Sequence, residues 1–465
     1  IKLDFWQIPE NPNNIDMASK FSKTPWLWVP TLYFAEGIPY FLVNNISVMM
    51  FAKMGVPNGQ LAFFTTLLYF PWFLKGLWSP IVDVIKTKRW WIIAMQVLMV
   101  AAMALLTLTL PKPGPELIAS GQTPASIFWI TLILFIVTAF ASATHDIAAD
   151  GFYMLAHDQS SQAAFIGIRS VFYRVSSVFG QGVLVFIAGL VEKKTAAASP
   201  DGVADIPFSW QVTLGVSAAV FAIITLYHVF FLPKSKNDTP RVASDGQQVN
   251  SLKEIGRSFS SFFKKKGVWL AIAFMLLYRL PEGFLIKMCQ PFLVAKDGLA
   301  LDTDMVGIVY GTFGVLALTV GGILGGVFAS RVGLKKSLWW MALCMTLPCL
   351  TFVYLAMAVP TNPVVITIAL AIEQFGYGFG FTAYMLYMMY FSEGEFKTSH
   401  YAICTAFMAL SMMLPGFVAG YIQEAIGYVW FFWMVMFCCI ATVVVTYLAE
   451  RKVDPDYGRK NQINN

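Results

Sequence analysis

The sequence predicts an all-α integral membrane protein with twelve transmembrane helices arranged as two six-helix halves. Of its 465 residues, 57% are hydrophobic and only 12% are charged, whereas soluble globular chains carry roughly 25% charged residues. Too few charges remain to cover a water-facing surface, so most of the surface must face lipid. The number of long apolar runs, and the polar segment that divides them equally, are the other two observations behind this prediction.

A helix that spans the bilayer needs about 20 mostly apolar residues. Twelve runs meet this requirement, and we expect one transmembrane helix at each of them. They are 25–51, 59–84, 90–110, 126–155, 163–191, 208–232, 267–292, 304–330, 335–358, 363–391, 400–423 and 427–449.

The distribution of basic residues predicts the orientation, because Lys and Arg favour cytoplasmic loops. With the N-terminus inside, basic clusters such as 86–89, 331–336 and 451–460 all lie on the cytoplasmic side. We therefore expect a multi-pass membrane protein with both termini in the cytoplasm. Because the net charge of +6 is accounted for by topology, we do not expect nucleic-acid binding.

These features divide the chain into five parts. We expect a cytoplasmic N-terminal segment (1–24), a first six-helix half (25–233), a cytoplasmic linker (234–266), a second six-helix half (267–450) and a cytoplasmic tail (451–465). Within the linker, SLKEIGRSFSSFF alternates apolar and polar residues at helical spacing, which is typical of a helix lying along the membrane surface.

The two halves carry matching short sequences. Glu36-Gly37 in the first run corresponds to Glu282-Gly283 in the seventh, and WSPIVDVIKTKR (78–89) corresponds to GVFASRVGLKKS (326–337). Two six-helix repeats related by an axis along the membrane normal resemble the major facilitator superfamily. The second of these stretches also has the form of the cytoplasmic loop motif of that superfamily. The resemblance implies alternating access between the two halves, with this loop holding the outward-open state.

Charged residues inside the apolar runs are costly to bury and usually face an interior cavity with a partner. Depth along the runs predicts two groups of them. The group near the bilayer midplane contains Glu36, Arg279, Glu282 and Glu373. The group nearer the cytoplasmic ends of the fourth and fifth runs contains Asp146, Asp150, Arg169 and Arg174.

Glu36 is the only charge in a long apolar run, where Gly37 and Pro39 are expected to loosen the helix. One hypothesis makes it a proton carrier or substrate ligand, and the other gives it a permanent salt bridge to Arg279 or Lys287. Asp146, Asp150 and Arg169 could likewise hold a cytoplasmic gate or bind a proton or substrate. The candidates for proton coupling are Glu36, Glu373, Glu282 and Asp146.

Polar side chains that share spans with these charges are the candidates for binding substrate. They are Tyr33, Tyr40, Asn44, Asn45, Tyr69, Lys75, Arg279, Lys287, Gln290, Gln374 and Tyr377. The candidates for gating are Asp83, Asp150, Arg169, Arg174 and Arg331.

Several stretches resemble the AmpG muropeptide permease family and its wider group, which includes acetyl-CoA transporters. They are YFAEGIPYFLV (33–43), FLKGLWSPIVD (73–83), FASATHDIAADGFYM (140–154), LLYRLPEGFLIKMCQPFLV (276–294) and HYAICTAFMAL (400–410). The resemblance implies proton-driven import of a cell-wall disaccharide, with or without a peptide, across the inner membrane. Lys75, Asp83, Asp146 and Asp150 fall in the family's motifs, while His145 and Gly151-Phe152-Tyr153 depart from them.

The leading hypothesis is therefore a monomeric proton-coupled symporter for an amino-sugar disaccharide or muropeptide. The alternative is a carrier of acetyl-CoA or another organic anion, which would need more cations than Arg279 and Lys287. A membrane enzyme built on His145, Asp146 and Asp150 is a remote alternative. It lacks a second His at ligand spacing, so we expect no catalysis, no metal and no cofactor. Substrate, protons and the lipid bilayer are the expected partners.

Overall fold

The computed structural model of the protein describes most of the chain in detail. The described residues are 25–110, 126–156, 168–169, 171–235, 238, 257, 259–394, 397–455 and 457. The predicted N-terminal segment (1–24), most of the linker and the end of the tail lie outside them.

In the linker, the described residues include a short helical stretch at 259–263. Twelve longer helices follow one another in the described residues, with no β-strand among them, and they correspond to the twelve predicted runs. They are α1 (25–53), α2 (58–84), α3 (Lys88–Thr109), α4 (Ser126–Ala156), α5 (Val171–Ala198), α6 (Ile206–Phe231), α7 (Val268–Val294), α8 (Thr303–Val332), α9 (Leu334–Ala358), α10 (Pro363–Ser392), α11 (397–426) and α12 (428–450).

Within the described chain, ten helices are long and apolar enough to cross a membrane. One of these ten, His400–Glu450, consists of α11 and α12, which are joined at Gly427 with the non-helical angles φ 73° and ψ 167°. The helix α1 is not among the ten, because Glu36, Asn44 and Asn45 lower its mean hydropathy. The prediction of an all-α membrane fold is confirmed.

Two helices are interrupted near their middle, and a proline explains each interruption. Proline lacks the N–H that would bond to the carbonyl four residues earlier. Because of Pro71, the first part of α2 ends at Leu67. Because of Pro281, the first part of α7 ends at Leu277. The freed carbonyl of Leu277 accepts a hydrogen bond of 3.3 Å from Thr442 Oγ1. The interruptions place Tyr69 and Arg279 at irregular positions in the bundle.

The prediction that Gly37 and Pro39 loosen α1 is wrong. The α-helix runs without a break from Pro25 to Phe41, and the irregularity is a π-helical turn that follows at Leu42–Ile46. Gly37 instead permits close packing, because a Cβ at this position would lie 1.7 Å from Oγ of Ser176 on α5.

The helices pack as two groups, α1–α6 and α7–α12. The groups meet mainly where α1 contacts α7, α2 contacts α11, and α5 contacts α8. We call the end of the bundle that contains residues 25 and 450 the terminal end. The distal end is the opposite one, which contains the connections 54–57, 199–205, 295–302 and 359–362.

The two halves are closed against each other at the distal end. Asn58 Nδ2 donates to Gln423 Oε1 at 2.7 Å, and the backbone N–H of Gly59 donates to Glu424 Oε1 at 2.8 Å. On the other side of the bundle, Lys193 Nζ lies 2.7 Å from Asp304 Oδ2. These polar contacts connect the start of α2 with the end of α11, and the end of α5 with the start of α8.

Glycines allow the same helices to approach closely. A Cβ at Gly311 on α8 would lie 1.8 Å from the carbonyl oxygen of Gln181 on α5. A Cβ at Gly420 on α11 would lie 1.8 Å from the carbonyl oxygen of Asn58. Both obstructing atoms belong to the backbone, so any larger residue would push the halves apart.

We predict that Gly311→Ala weakens distal closure. The added methyl group must displace the α5 backbone, and overpacking of this kind costs about 1–3 kcal/mol. With cysteines placed at Asn58 and Gln423, a short bifunctional thiol reagent should cross-link the α2–α11 contact several-fold less in this variant. Gly326→Ala on the same helix is the matched control, since a Cβ there meets nothing within 4 Å. Equal cross-linking of both variants would contradict the prediction.

Candidate functional site

Three carboxylates and two cations meet inside the first half, and we call them the first-half cluster. They are Glu36 on α1, Lys75 on α2, Asp146 and Asp150 on α4, and Arg169, which lies just before α5. Carboxylate oxygens of the three acids all lie within 4.8 Å of one another. Asp146 forms an ion pair with Lys75 on α2. Asp150, one turn further along α4, lies 2.7 Å from Arg169 Nη2.

Glu36 differs from the other two acids in this cluster. It is 8% exposed, and its Oε2 has no hydrogen-bond partner among the described residues. Each of the aspartates, in contrast, has its own cation. The cluster therefore contains one more acid than base, and the surplus carboxylate is Glu36.

Tyr33 encloses the cluster from the side of the terminal end, three residues before Glu36 on α1. Its hydroxyl donates to Asp150 Oδ1 at 3.4 Å, and the guanidinium of Arg169 lies 4.3 Å from its ring centroid. This side chain is fully buried. Its hydroxyl contacts Asp150 and its ring contacts Arg169, so Tyr33 stabilises the Asp150–Arg169 pair. Tyr33 therefore contacts the charged groups of the first half, as its helical spacing from Glu36 suggested.

The predicted division of the charges by depth is wrong for Glu36. Depth grouped it with Arg279, Glu282 and Glu373, but its carboxylate lies beside Asp146 and Asp150. Arg279 is also not its partner, because that guanidinium pairs with Glu282. Counting residues along separate helices ignores their tilt, so it did not show which side chains meet.

The midplane charges of the second half form a separate group. Arg279 donates from Nε and Nη2 to the two oxygens of Glu282 at 3.0 and 2.9 Å, and Nη2 also lies 3.0 Å from the Tyr377 hydroxyl. The guanidinium is 4.7 Å from the ring centroid of Phe381. The i, i+3 spacing of Arg279 and Glu282 thus gives a buried bidentate ion pair.

No cation forms an ion pair with Glu373 among the described residues. It is 3% exposed, and Gln374 Nε2 donates to its Oε2 at 2.9 Å. Together with Glu282 and Tyr377 it lines a small internal cavity of about 10 Å³, which is roughly the space for one water molecule. Glu373 therefore stays a candidate proton carrier.

Lys287 lies at the interface between the halves. Its Nζ donates to Thr65 Oγ1 at 3.1 Å and lies 5.0 Å from the ring centroid of Tyr69. Both partners belong to α2, in the other half. No carboxylate forms an ion pair with Lys287 among the described residues.

The other predicted substrate ligands line the centre of α1 and α7. Tyr40 packs its ring against Trp72 and Tyr173, and Asn45 is half-buried. Asn44 Oδ1 and Gln290 Oε1 are buried without a hydrogen-bond partner in the described part of the chain. Two unsatisfied acceptors of this kind are suited to the hydroxyl or amide donors of a ligand.

Of the predicted gating residues, the structure brings Asp150 and Arg169 together. Asp150 and Arg169 form an ion pair within the first half, so this pair does not itself connect the two halves. Arg174 is half-buried on α5, and Arg331 is exposed at the terminal end of α8. The side chain of Asp83 lies outside the described residues, so the proposed latch between Asp83 and Arg331 stays a prediction.

A buried polar chain in the first half was not predicted from the sequence. His145 Nε2 lies 3.0 Å from Gln96 Nε2, and His228 lies between Gln96 and Thr31. These residues come from α4, α3, α6 and α1, so the chain connects four helices. His145 therefore contacts Gln96, while its neighbour Asp146 contacts Lys75. The hypothetical enzyme site of His145, Asp146 and Asp150 is divided between two environments.

The twelve helices, the buried charges and the interface between the halves define a membrane transporter. The family model of the Major Facilitator Superfamily matches residues 31–393 and, in a second match, 283–463. The chain therefore belongs to the Major Facilitator Superfamily, as its sequence repeats predicted.

Proteins of the AmpG group are among its relatives. A putative transporter AmpG 4 from Rickettsia conorii is 23% identical over 428 residues, covering 90% of this chain and 95% of that protein. The anhydromuropeptide permease of Escherichia coli K12 is 23% identical over 437 residues, covering 92% of this chain and 80% of the permease. The predicted resemblance to the AmpG family is confirmed.

Solved structures with the same fold include a D-xylose–proton symporter. Its TM-score is 0.67 at 13% identity, with coverage of 95% of this chain and 99% of the symporter. A bacterial homologue of the human lysosomal transporter Spinster gives a TM-score of 0.65 at 14% identity, covering 94% and 98% of the two chains. At these identities the likeness shows the fold alone.

We predict that Glu282→Gln strongly destabilises the protein. The substitution leaves the Arg279 guanidinium buried without its carboxylate, and breaking a buried pair in this way costs about 3–5 kcal/mol. Thermal unfolding in detergent should show a lower Tm. Combining it with Arg279→Met removes the unpaired charge, so the double variant should unfold at a higher temperature than Glu282→Gln alone. A double variant whose loss of Tm equals the sum of the two single losses would contradict this.

Proposed function

We propose that the protein is a proton-coupled symporter that imports a cell-wall-derived or amino-sugar-containing disaccharide or muropeptide by alternating access. The observation that carries this proposal is the surplus carboxylate of the first-half cluster. Three acids face two cations there, and Glu36 is the acid that has no cation of its own among the described residues. Similarity to the AmpG relatives supports the choice of substrate.

The proton is assigned to Glu36. An unpaired carboxylate in a low-dielectric interior is costly, and a neighbouring negative charge increases the cost. Asp146 and Asp150 keep their charges because Lys75 and Arg169 neutralise them. One proton on Glu36 makes the cluster neutral, whereas its loss leaves one negative charge that needs water. The charge state of Glu36 can therefore favour either an enclosed or a water-filled central cavity.

The terminal end is assigned to the cytoplasm of an inner-membrane protein. The basic residues Lys88, Arg89, Lys335 and Lys336 lie at this end, and cytoplasmic loops favour such residues. The closed distal end then faces the outside, so this structure has its halves closed on the outer side. Import requires the contacts at Asn58 and Lys193 to break and form again in each cycle.

A carrier of acetyl-CoA or another large organic anion has less support. Such a ligand brings several negative charges, and the sequence offered Arg279 and Lys287 to balance them. Since Arg279 is neutralised by Glu282, Lys287 is left to meet that charge. An enzyme has less support still, because the candidate His145 is hydrogen-bonded away from the aspartates.

The test compares Glu36→Gln with Glu373→Gln in liposomes. The substrate is labelled N-acetylglucosaminyl-anhydro-N-acetylmuramic acid, and the driving force is an imposed pH gradient or, separately, a Na⁺ gradient. Wild-type protein should accumulate the disaccharide with the pH gradient. Glu36→Gln should abolish accumulation. The rate of exchange of internal for external substrate should stay within about two-fold of wild type, because replacing the proton-carrying residue leaves substrate binding intact.

Each other outcome identifies a specific error. Accumulation retained by Glu36→Gln and lost by Glu373→Gln would move the proton to Glu373. Accumulation with Na⁺ alone would replace the proton by a metal cation at the three carboxylates. Absence of any uptake or exchange by wild-type protein would reject this disaccharide as the substrate.

A further inference from the structure

Lys287 is a buried cation whose polar neighbours come from the opposite half. The side chain is 4% exposed, and it contacts the Thr65 hydroxyl and the face of Tyr69. A hydroxyl and an aromatic ring compensate an ammonium group only in part, because burial of a charge is costly without a counter-charge. Ionisable groups in this situation within a membrane usually mark a functional site.

A second unsatisfied group lies beside it. Thr66 is fully buried, and its hydroxyl has no hydrogen-bond partner in the described chain. Thr65, in contrast, already donates its hydroxyl to the carbonyl of Leu61 at 2.7 Å. Thr66 is therefore the neighbouring hydroxyl that is free to donate to a ligand.

Gly416 on α11 keeps these groups together. A Cβ at this position would lie 2.5 Å from Thr66 Oγ1 and 3.2 Å from Cε of Lys287. The glycine therefore lies between the hydroxyl and the lysine stem, and its lack of a side chain leaves room for both. An ammonium group and a hydroxyl donor that converge on one place are suited to a singly charged oxyanion such as a carboxylate.

We propose that Lys287 and Thr66 form a carboxylate-binding site that is accessible only when the halves part at the distal end. In the closed structure Lys287 contacts Thr65 and Tyr69, which exclude a guest. When the halves part, α2 moves away from α7, and Lys287 is exposed to the outer cavity without its partners. A carboxylate of the transported molecule then enters between the two helices, where it binds Lys287 on α7 and accepts a hydrogen bond from the Thr66 hydroxyl on α2.

The site binds the anion tightly when the distal end is open and weakly when the distal end is closed. Closure at the distal end returns the Thr65 hydroxyl and the Tyr69 ring to Lys287, and these groups compete with the bound carboxylate. A ligand shifts such an equilibrium only through its different affinity for the two states. The anion is therefore captured from the distal side and released as that side closes. This inference rests on the proposed transport function and adds an acidic substrate and the site that recognises its charge.

The test measures the chemical reactivity of Lys287 in the purified full-length protein. An N-hydroxysuccinimide ester of acetic acid acetylates accessible amines, and peptide mass spectrometry gives the acetylated fraction at each lysine. We expect Lys287 to be protected in the wild type and acetylated at least about five-fold more in Gly311→Ala, which weakens distal closure. Gly420→Ala provides a second opening variant in case the first does not fold. Gly326→Ala is the matched control, with exposed Lys336 as the internal standard.

The anion preference is tested on the same variants. N-acetylmuramic acid, which carries one carboxylate, should reduce acetylation of Lys287 in the opening variant at least about three-fold. Its methyl ester, which is identical except for the charge, should not. Equal acetylation of Lys287 in wild type and both opening variants, or equal protection by acid and ester, would overturn the proposal.

These readouts do not depend on transport. Protection by the acid without any disaccharide uptake would reject the proposed function and leave the anion site standing. Normal pH-driven uptake with Lys287 unreactive in both opening variants would reject the anion site alone.

Discussion

The structure is governed by the cost of burying charge in a bundle whose two halves must move against each other. Central ion pairs such as Arg279–Glu282 and Asp150–Arg169 are each formed within one half, so they can persist when the halves separate. The contacts that join the halves, such as Lys193–Asp302 and Lys193–Asp304, lie at the distal end and are partly exposed. Water can replace these contacts when they break, which keeps their rearrangement inexpensive.

The helices of the two halves approach closely at glycines, and this close packing accompanies the polar contacts between the halves. Gly311 against Gln181 brings α8 to α5, and Gly420 against Asn58 brings α11 to α2. The equivalent helices of the two halves thus use the same device, in keeping with the internal repeat. Helix irregularity contributes as well, since Pro71 and Pro281 interrupt α2 and α7 beside Tyr69 and Arg279.

Hydropathy and the internal repeat predicted nearly all of the fold, because span length and lipid exposure are local properties of the sequence. Local spacing allows the Arg279–Glu282 pair, whose members are three residues apart on one helix, but we expected Arg279 to pair with Glu36 or with an anionic substrate. Local spacing failed for Glu36, whose neighbours come from α4 and depend on how α1 and α4 pack. The hydroxyls of Thr65 and Thr66 gave no signal either, because threonine in an apolar helix usually bonds to its own backbone.

The two proposals together explain why proton and substrate would move as a pair. Among the described residues, neither Glu36 nor Lys287 forms an ion pair. A proton alone leaves Lys287 uncompensated, and a carboxylate alone leaves Glu36 uncompensated. Each singly loaded state therefore encloses one net charge, which a low-dielectric interior disfavours. In the fully loaded state the proton neutralises Glu36 and the carboxylate compensates Lys287, so the halves can rearrange without enclosing an isolated charge. Coupling follows from this compensation without any ion pair across the centre.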